Sequence, residues 1–300
     1  MSDLAPRTPG SRFRKILAKG CIAIPGVFNA LSARLAQRAG FQALYQSGAA
    51  LSAGTFALPD VGIVTQTEFA QQAQYLTQAV SLPVISDADT GFGEPLAVER
   101  TVQLFERAGL AGLHLEDQEL PKRCGHLSGK SLVSREAMVA KIRAAVTARM
   151  DPGFVIIART DSRATLGLAE ALDRAHAYLD AGADMIFPEA LESPEEFARF
   201  AREIPAPLLA NMTEFGKSPL LTVRQLGDLG YSAVLFPVTL LRTAMKAVEQ
   251  ALGQLAAEGT QAGFVDKMQT RAELYDVLEY TGYEDRDRTY FGGAGGGAAN

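Results

Sequence analysis

The chain has 300 residues, of which 47% are hydrophobic and 21% charged, with a formal net charge of -5 at pH 7. This length can bury a substantial core, as one large domain or two ordinary ones. The acidic balance and the lack of a basic stripe argue against nucleic-acid binding. No apolar run reaches the about 18 residues that suggest a membrane span. We therefore expect a globular protein whose partner is a small molecule.

The two ends of the chain differ in composition from the rest. Residues 1–10 lack the apolar core of a signal peptide, and Cys21 and Cys124 cannot form a disulfide framework, so we predict a cytoplasmic protein. Residues 291–300 are mostly Gly and Ala, which bury too little surface to order themselves. We predict a disordered N-terminus over residues 1–10, one domain with a C-terminal helical extension over 11–290, and a flexible tail over 291–300.

Eight short aliphatic runs predict β-strands, and helical stretches lie between them. The runs are nearly continuous in apolar character, which is typical of parallel strands buried on both faces. This alternation predicts a (β/α)8 TIM barrel, with a doubly wound open sheet as the alternative, since counting strands does not establish closure. The predicted strands are Cys21–Pro25, Gln42–Gln46, Pro83–Asp87, Gly112–Glu116, Phe154–Arg159, Ala183–Pro188, Pro207–Asn211 and Ala233–Pro237. The predicted helices include Gln66–Val80, Glu94–Ala108, Ser134–Arg149, Leu166–Ala181 and Pro194–Arg202.

Polar residues stand at or just beyond the carboxyl ends of these strands. In a barrel those ends meet on one face, where the catalytic groups of this fold lie. Any single Asp or Asn could instead cap a helix or form a turn, but clusters on six strands are difficult to explain by capping alone. We predict a functional site at this face that draws on Ser47, Asp87, Asp89, Glu116, Asp117, Arg159, Asp161, Glu189 and Asn211.

The acidic residues of this set predict a metal site. Asp87 and Asp89 are two residues apart, so in an extended strand their side chains would point to the same side. With Glu116 after the next strand they offer oxygen ligands without convergent His or Cys, which suits Mg²⁺ or Mn²⁺ better than zinc. Because Mg²⁺ keeps several waters, some of these acids would reach it through water. The alternative is a pair of solvated loop aspartates.

The segment Lys122–His126 places a thiol between cations in a glycine-containing loop. Arg123 and His126 would favour the thiolate of Cys124, because nearby positive charge stabilises an anion. The segment predicts an acid/base group or a nucleophile, and the alternative is a structural cysteine in an ordinary loop.

Arginines and donor-rich segments predict an anionic ligand. Arg159 interrupts the apolar run of its strand at the functional end, whereas Arg242 and Arg271, taken singly, could be surface ion-pair formers. The segments Ser47-Gly48-Ala49 and Asn211-Met212-Thr213 offer donors and small residues that let backbone N–H groups approach a ligand.

Together these motifs resemble the isocitrate lyase and phosphoenolpyruvate mutase superfamily, and within it the 2-methylisocitrate lyases. The resemblance extends from Phe13 to Tyr290. It is carried by Ser86–Gly93, Gly112–Gln118, Lys122–His126, Ile157–Asp161, Phe187–Ala190, Asn211–Gly216 and Met268–Arg271.

The resemblance implies a barrel whose last helix is exchanged between subunits, in a homotetramer that is a dimer of dimers. It implies Mg²⁺-dependent cleavage of a tricarboxylate, 2-methylisocitrate, to pyruvate and succinate, a step of propionate catabolism in the methylcitrate cycle. Asp87 and Asp89 would hold the metal, and Phe187, Leu235 and Pro237 would shape the pocket for the methyl group. The implied catalytic residues are Cys124, Glu116, Arg159 and His126. Substrate contacts would come from Tyr45, Ser47, Gly48, Ala49, Gly125, Arg159, Glu189, Asn211, Met212, Thr213, Arg242 and Arg271.

Two departures from the family pattern keep other substrates open. Ala49 stands where many methylisocitrate lyases have a third-position Gly, and the loop His126–Lys130 has a form also found in relatives that act on other substituted malates. The alternatives are a lyase for isocitrate or 2,3-dimethylmalate, a mutase acting on a P–C bond, and a carboxylate-binding regulatory barrel without turnover. A mutase needs no protonating thiol, so Cys124 argues against it.

Overall fold

The computed structural model describes residues 8–126 and 129–292. Their contacts divide the chain into two compact units, Met1–Thr243 and Ala244–Asn300. The first unit contains the strands β1 (Ile22–Val27), β2 (Leu44–Gln46), β3 (Val84–Asp87), β4 (Gly112–Glu116), β5 (Val155–Thr160), β6 (Met185–Pro188), β7 (Leu209–Asn211) and β8 (Ala233–Phe236). Its helices are α1 (Pro9–Leu17), α2 (Ala30–Arg38), α3 (Gly48–Phe56), α4 (Gln66–Ala79), α5 (Pro95–Arg107), α6 (Arg135–Ala148), α7 (Arg163–Leu166), α8 (Leu168–Asp180), α9 (Pro194–Glu203) and α10 (Val223–Leu229).

The eight strands are parallel and form a closed barrel. They pair in the order β6-β5-β4-β3-β2-β1-β8-β7, with Ile22 of β1 opposite Ala233 of β8. The remaining gap, between β6 and β7, is closed by one parallel bridge from Ile186 to Leu208, where the Ile186 N–H donates to the Pro207 carbonyl at 3.0 Å. The predicted (β/α)8 barrel is therefore confirmed, and the open doubly wound sheet is excluded.

The element boundaries differ from the prediction at a few places. The predicted helix Leu166–Ala181 begins at Leu168 instead, because Gly167, with a φ of 91°, separates it from the short helix α7 that ends at Leu166. Pro9 and Gly10 are helical, so the predicted disordered stretch at residues 1–10 extends too far. Residues 1–7 and 293–300, on which the predictions for the two ends mainly rest, lie outside the described residues.

Strand side chains alternate between the barrel interior and the surrounding helices. The interior is filled by residues such as Ile85, Ile157 and Met185, and Phe13 of α1 packs into the same cluster with no exposed surface. The residues between them, such as Ile156, pack under the helices in a second cluster. Because the alternation continues past the strand ends, it decides which polar side chains face the barrel axis.

The second unit is helical. It contains the greater part of α11 (Thr239–Glu258), a 3-10 helix (Ala262–Lys267), α12 (Arg271–Val277) and α13 (Tyr280–Tyr290). Of its described residues, Phe264 and Val277 alone are buried. No helix in the described ranges is both long and apolar enough to cross a membrane. The single domain over residues 11–290 and the exchange of the last helix stay predictions.

Candidate active site

A cavity of about 370 Å³ opens at the carboxyl ends of the strands in the first unit. Most of the residues predicted for the functional site contribute to its wall. Those residues are Tyr45, Ser47, Ala49, Asp87, Cys124, Gly125, His126, Arg159, Phe187, Glu189, Asn211, Thr213, Leu235, Pro237 and Arg242. The period of two explains the convergence, since Arg159 continues the interior series of Ile157, and Glu189 continues that of Phe187.

Arg159 lies at the centre of a buried group of carboxylates. Its Nε is 3.0 Å from Asp161 Oδ2 and 3.5 Å from Glu189 Oε2, and its Nη1 is 3.3 Å from Glu116 Oε2. The guanidinium also lies 5.2 Å from the centre of the Phe187 ring. Burial disfavours its charge, but the three carboxylates outweigh this effect and raise the pKa of Arg159. The guanidinium is thus a permanent, well-oriented cation at the cavity.

Glu189 connects three elements around this cation. Its carboxylate accepts hydrogen bonds from Asn211 Nδ2 at 3.2 and 3.3 Å and lies 2.8 Å from His126 Nε2. His126 Nδ1 accepts the Lys217 backbone N–H at 2.9 Å, so Nε2 carries the ring proton and faces the carboxylate. Burial would raise the pKa of Glu189, but Arg159 and His126 bring it below its usual value. Glu189 is therefore an anion at neutral pH.

Cys124 is exposed at the cavity wall, and its thiol is not biased toward the thiolate. Desolvation by the surrounding protein raises the pKa of Cys124, and the Glu189 carboxylate adds to this. The predicted thiolate bias is therefore wrong, because desolvation and the Glu189 carboxylate outweigh the nearby positive charge. Lys122, the other cation of the segment, pairs with acids: its Nζ lies 2.7 Å from Asp89 Oδ1 and also contacts Asp60. A thiol that keeps its proton at neutral pH suits a proton donor better than a nucleophile.

The acids predicted to hold a metal do not share one extended strand. β3 ends at Asp87, and the chain turns at Asp89, whose φ is 46°. Asp87 Oδ1 accepts the Asp89 backbone N–H at 2.9 Å, and Asp87 lines the cavity whereas Asp89 does not. The extended backbone assumed for this pair therefore ends at Asp87, and the assignment of both acids to a metal stays a prediction.

The buried acids fit a cation that keeps most of its water. In the described ranges, no three or more His, Cys, Asp and Glu side chains form a group that could hold an ion by themselves. Both carboxylate oxygens of Glu116 are buried without a hydrogen bond, and burial raises the pKa of Glu116 and brings that of Asp89 to about 7. A nearby divalent cation would favour the ionised forms. This donor set suits Mg²⁺ held partly through water.

Gly48 is needed for its lack of a side chain. A Cβ at this position would lie 2.5 Å from Asp87 Oδ2. Ser47, the N-cap of α3, accepts the Ala50 N–H through its Oγ at 3.2 Å. The segment thus brings the start of α3 against the Asp87 carboxylate, and the predicted approach of its backbone to a ligand stays a prediction.

Three predicted substrate contacts have different surroundings. Met212 is buried in the core, where its Sδ accepts the Leu221 N–H at 3.2 Å. As the neighbour of Asn211, its side chain points to the opposite side, so the predicted contact of Met212 with substrate would have to come from its backbone and stays a prediction. Arg242 is half exposed, with Nε 3.7 Å from Glu214 Oε2. Arg271 begins α12 of the second unit, and its contact with substrate stays a prediction.

Several groups of the site were not assigned from the sequence. Lys122 and Asp60 line the cavity, and Lys122 was considered only as a cation beside the thiol. His114 is fully buried, with Nε2 2.8 Å from Tyr45 Oη, and burial lowers its pKa to about 4. The sequence did contain a signal for His114, because a residue two positions before Glu116 on the same strand points to the same face of the barrel wall. Asp60 follows no strand and offered no signal.

Comparisons with known proteins agree with this geometry. The family model described as phosphoenolpyruvate phosphomutase matches residues 13–256. A 2-methylisocitrate lyase of Aeropyrum pernix is 53% identical over 280 residues, covering 93% of this chain and 90% of that one.

Two solved structures are similar to this chain over nearly its whole length. A 2,3-dimethylmalate lyase superposes with a TM-score of 0.90 at 37% identity, covering 99% of this chain and 100% of the other. A phosphonopyruvate hydrolase in complex with oxalate and Mg²⁺ has a TM-score of 0.86 at 29% identity, covering 95% and 99%. The chain therefore belongs to the phosphoenolpyruvate mutase/isocitrate lyase superfamily and, within it, to the family of the 2-methylisocitrate lyases.

Proposed function

We propose that this enzyme is a lyase that cleaves 2-methylisocitrate to pyruvate and succinate. The observation that carries the proposal is the arrangement of a protonated thiol, Cys124, beside a cavity whose wall includes Arg159, Glu189 and Asn211. Relatives named as 2-methylisocitrate lyases support the choice of substrate. A retro-aldol cleavage needs both features, because it creates a carbanion beside a carboxylate and then protonates it.

The reaction moves one proton off oxygen and one onto carbon. The tertiary hydroxyl of the substrate gives up its proton to solvent, its oxygen becomes the pyruvate carbonyl, and the C–C bond electrons pass to the succinate half. Arg159 and the Asn211 amide would stabilise the negative charge that develops there. The Cys124 thiol would then donate its proton to the carbanion, and the resulting thiolate would regain a proton before the next turnover.

We assign Mg²⁺ to the acids at the ends of β3 and β4, with Mn²⁺ as a substitute. Asp87 would be the direct ligand, and Asp89 and Glu116 would reach the ion through water. When bound, the ion supplies positive charge where the substrate hydroxyl loses its proton. Lys122, paired with Asp89 at 2.7 Å, would keep these acids from repelling the carboxylates of the substrate.

The methyl group would contact an apolar part of the cavity wall. Phe187 and Leu235 point into the barrel and are each 1% exposed, and Pro237 follows Leu235 on the same side. Burying one methyl group contributes about 1 kcal/mol, so this wall would prefer 2-methylisocitrate over isocitrate by roughly fivefold.

A substrate comparison tests the proposal. Purified enzyme with Mg²⁺ is assayed with 2-methylisocitrate, isocitrate and 2,3-dimethylmalate. The products measured are succinate, glyoxylate and propionate, because cleavage of 2-methylisocitrate and of 2,3-dimethylmalate would both release pyruvate. We expect the highest kcat/KM for succinate from 2-methylisocitrate and loss of turnover in EDTA that Mg²⁺ restores. A higher kcat/KM for glyoxylate from isocitrate would refute the substrate, and turnover that survives EDTA would refute the metal.

The second candidate is cleavage of 2,3-dimethylmalate. It is favoured by the structural similarity to a 2,3-dimethylmalate lyase and by further apolar residues in the cavity wall, Leu58, Val238 and Leu241. A substrate with two carboxylates and two methyl groups would need fewer cationic contacts. The same assay decides between them by the ratio of succinate to propionate. The helix-exchanged homotetramer and the cytoplasmic location stay predictions.

A further inference from the structure

Lys130 is a buried lysine that joins the loop of Cys124 to the end of β5. Its side chain is 1% exposed, and its Nζ lies 2.8 Å from Asp161 Oδ1 and donates to the Gly125 carbonyl at 2.5 Å. Gly125 stands between Cys124 and His126, two residues of the candidate site. The ammonium therefore holds the backbone that carries the thiol.

The same carboxylate also holds the central cation of the site. Asp161 accepts hydrogen bonds from Arg159 Nε at 3.0 Å and from Arg159 Nη2 at 3.2 Å. Its side chain has no exposed surface, so it cannot move aside into solvent. Lys130 and Arg159 thus share one fixed anion, the Asp161 carboxylate. Through Lys130 this carboxylate also fixes the position of the Gly125 carbonyl relative to the Arg159 guanidinium.

Packing at Gly125 leaves little tolerance for another position of the loop. A Cβ at Gly125 would lie 2.3 Å from Glu189 Cγ and 2.6 Å from Arg159 Nη2, so the backbone rests directly on both residues. His126 provides a separate attachment to Glu189 and to the Lys217 N–H. Without the Lys130 contact the loop would therefore stay attached at His126, while the Gly125 carbonyl beside the thiol would lose the hydrogen bond that fixes its position.

We propose that Lys130 is a positioning residue, which through the Gly125 carbonyl sets the place of the Cys124 thiol relative to Arg159. A lysine ammonium is costly to bury, so a loop that needed only attachment could use exposed hydrogen bonds instead. A proton donor needs a place defined to a fraction of an ångström, which a buried ion pair supplies. The proposal rests on the lyase function above for its kinetic part.

The test compares Lys130→Met with wild type by two independent measurements. The first is cleavage of 2-methylisocitrate in D2O, with kcat, KM and the enantiomeric purity of the monodeuterated succinate. We expect kcat to fall about 10- to 100-fold with KM changed by less than about threefold. The succinate should lose enantiomeric purity, because solvent deuterons reach the carbanion from either face once the thiol is displaced.

The second measurement needs no turnover. The rate of alkylation of Cys124 by iodoacetamide, followed by peptide mass mapping, should rise at least about fivefold in Lys130→Met, because the displaced thiol loses its desolvating surroundings. Lys130→Arg retains the charge and should recover most of the wild-type kcat and alkylation rate. If circular dichroism shows that Lys130→Met does not fold, Lys130→Gln takes its place, because glutamine is shorter and loses the ion pair with Asp161. Alkylation at the wild-type rate with full kcat in Lys130→Gln would then overturn the proposal.

Arg149→Met is the matched control. Arg149 Nη1 also bridges a carbonyl and a carboxylate, Phe154 O at 3.0 Å and Asp184 Oδ2 at 2.6 Å, but at the amino ends of β5 and β6. The Arg149→Met substitution should lower the Tm and leave kcat, the stereochemistry of the succinate and the alkylation rate of Cys124 unchanged. If Lys130→Met behaves like this control, the proposal is wrong. If wild type makes no succinate, the lyase function is wrong, and the alkylation rates still decide the role of Lys130.

Discussion

Gly48→Ala tests how closely the Asp87 carboxylate must be placed. Gly48 is the first residue of α3, and an added Cβ would meet Asp87 Oδ2 at 2.5 Å, Asp87 Cγ at 3.0 Å and Phe69 Cζ at 3.2 Å. Phe69 is 1% exposed in the core and cannot retreat. The Asp87 side chain must therefore give way, and it carries the assigned Mg²⁺ contact.

The size of the effect follows from these distances. Ordinary van der Waals contact begins at 3.4 Å, so a carboxylate oxygen at 2.5 Å must move by close to 0.9 Å. A displacement of about 1 Å in a catalytic constellation costs roughly 100-fold in rate, or about 2.7 kcal/mol of transition-state stabilisation. Stability should change little, because alanine is more favourable than glycine in a helix by up to about 1 kcal/mol, which offsets part of the strain.

The assay follows pyruvate by coupling to lactate dehydrogenase and measures kcat/KM and the Mg²⁺ concentration for half-maximal rate. We expect kcat/KM to fall roughly 100-fold and the Mg²⁺ requirement to rise. Gly253→Ala in α11 is the control, because an added Cβ there meets no atom within 4 Å, and it should behave as wild type. A Gly48→Ala enzyme that keeps kcat/KM within about threefold, with an unchanged Mg²⁺ requirement, would refute the reasoning.

Three further predictions concern other parts of the barrel. Cys124→Ser, which has a much weaker acid at the same place, should lower kcat by about 10² or more with little change in KM, whereas near-normal turnover would show that the thiol is a bystander. Burial lowers the pKa of His114 from 6.5 in the unfolded chain to about 4 in the folded protein. As the pH falls, the unfolded chain therefore takes up this proton before the folded protein does. The free energy of unfolding that His114 contributes is complete above pH 6.5 and falls by up to about 3 kcal/mol as the pH drops to 4. Urea unfolding at several pH values should show a shallower dependence in His114→Gln, and an equal dependence would contradict the assignment. Tyr178→Phe removes a donor 2.8 Å from the buried Asp117 carboxylate and should cost about 1–2 kcal/mol, seen as a lower Tm with normal kcat, and an unchanged Tm would count against this hydrogen bond.

The barrel itself could be predicted because its determinants are local. Parallel strands buried on both faces need continuous apolar runs, and the run Gly112–Glu116 was predicted to the residue. The carboxyl ends of the strands must then meet on one face, so Arg159 and Glu189 could be brought into one site without knowledge of any contact. Boundaries were less accurate where a single backbone angle decides them, as at Gly167.

The sequence by itself thus determined the fold, the functional face and the identity of the residues with chemical potential, including Cys124. Tertiary structure alone decided their state and their partners. Lys122 pairs with Asp60 across 62 residues and Lys130 with Asp161 across 31, and both pairings depend on how separate loops approach each other. The pKa of Cys124 was predicted in the wrong direction for the same reason, since a sequence displays neighbouring charges but not the desolvation or the distant carboxylate that outweigh them.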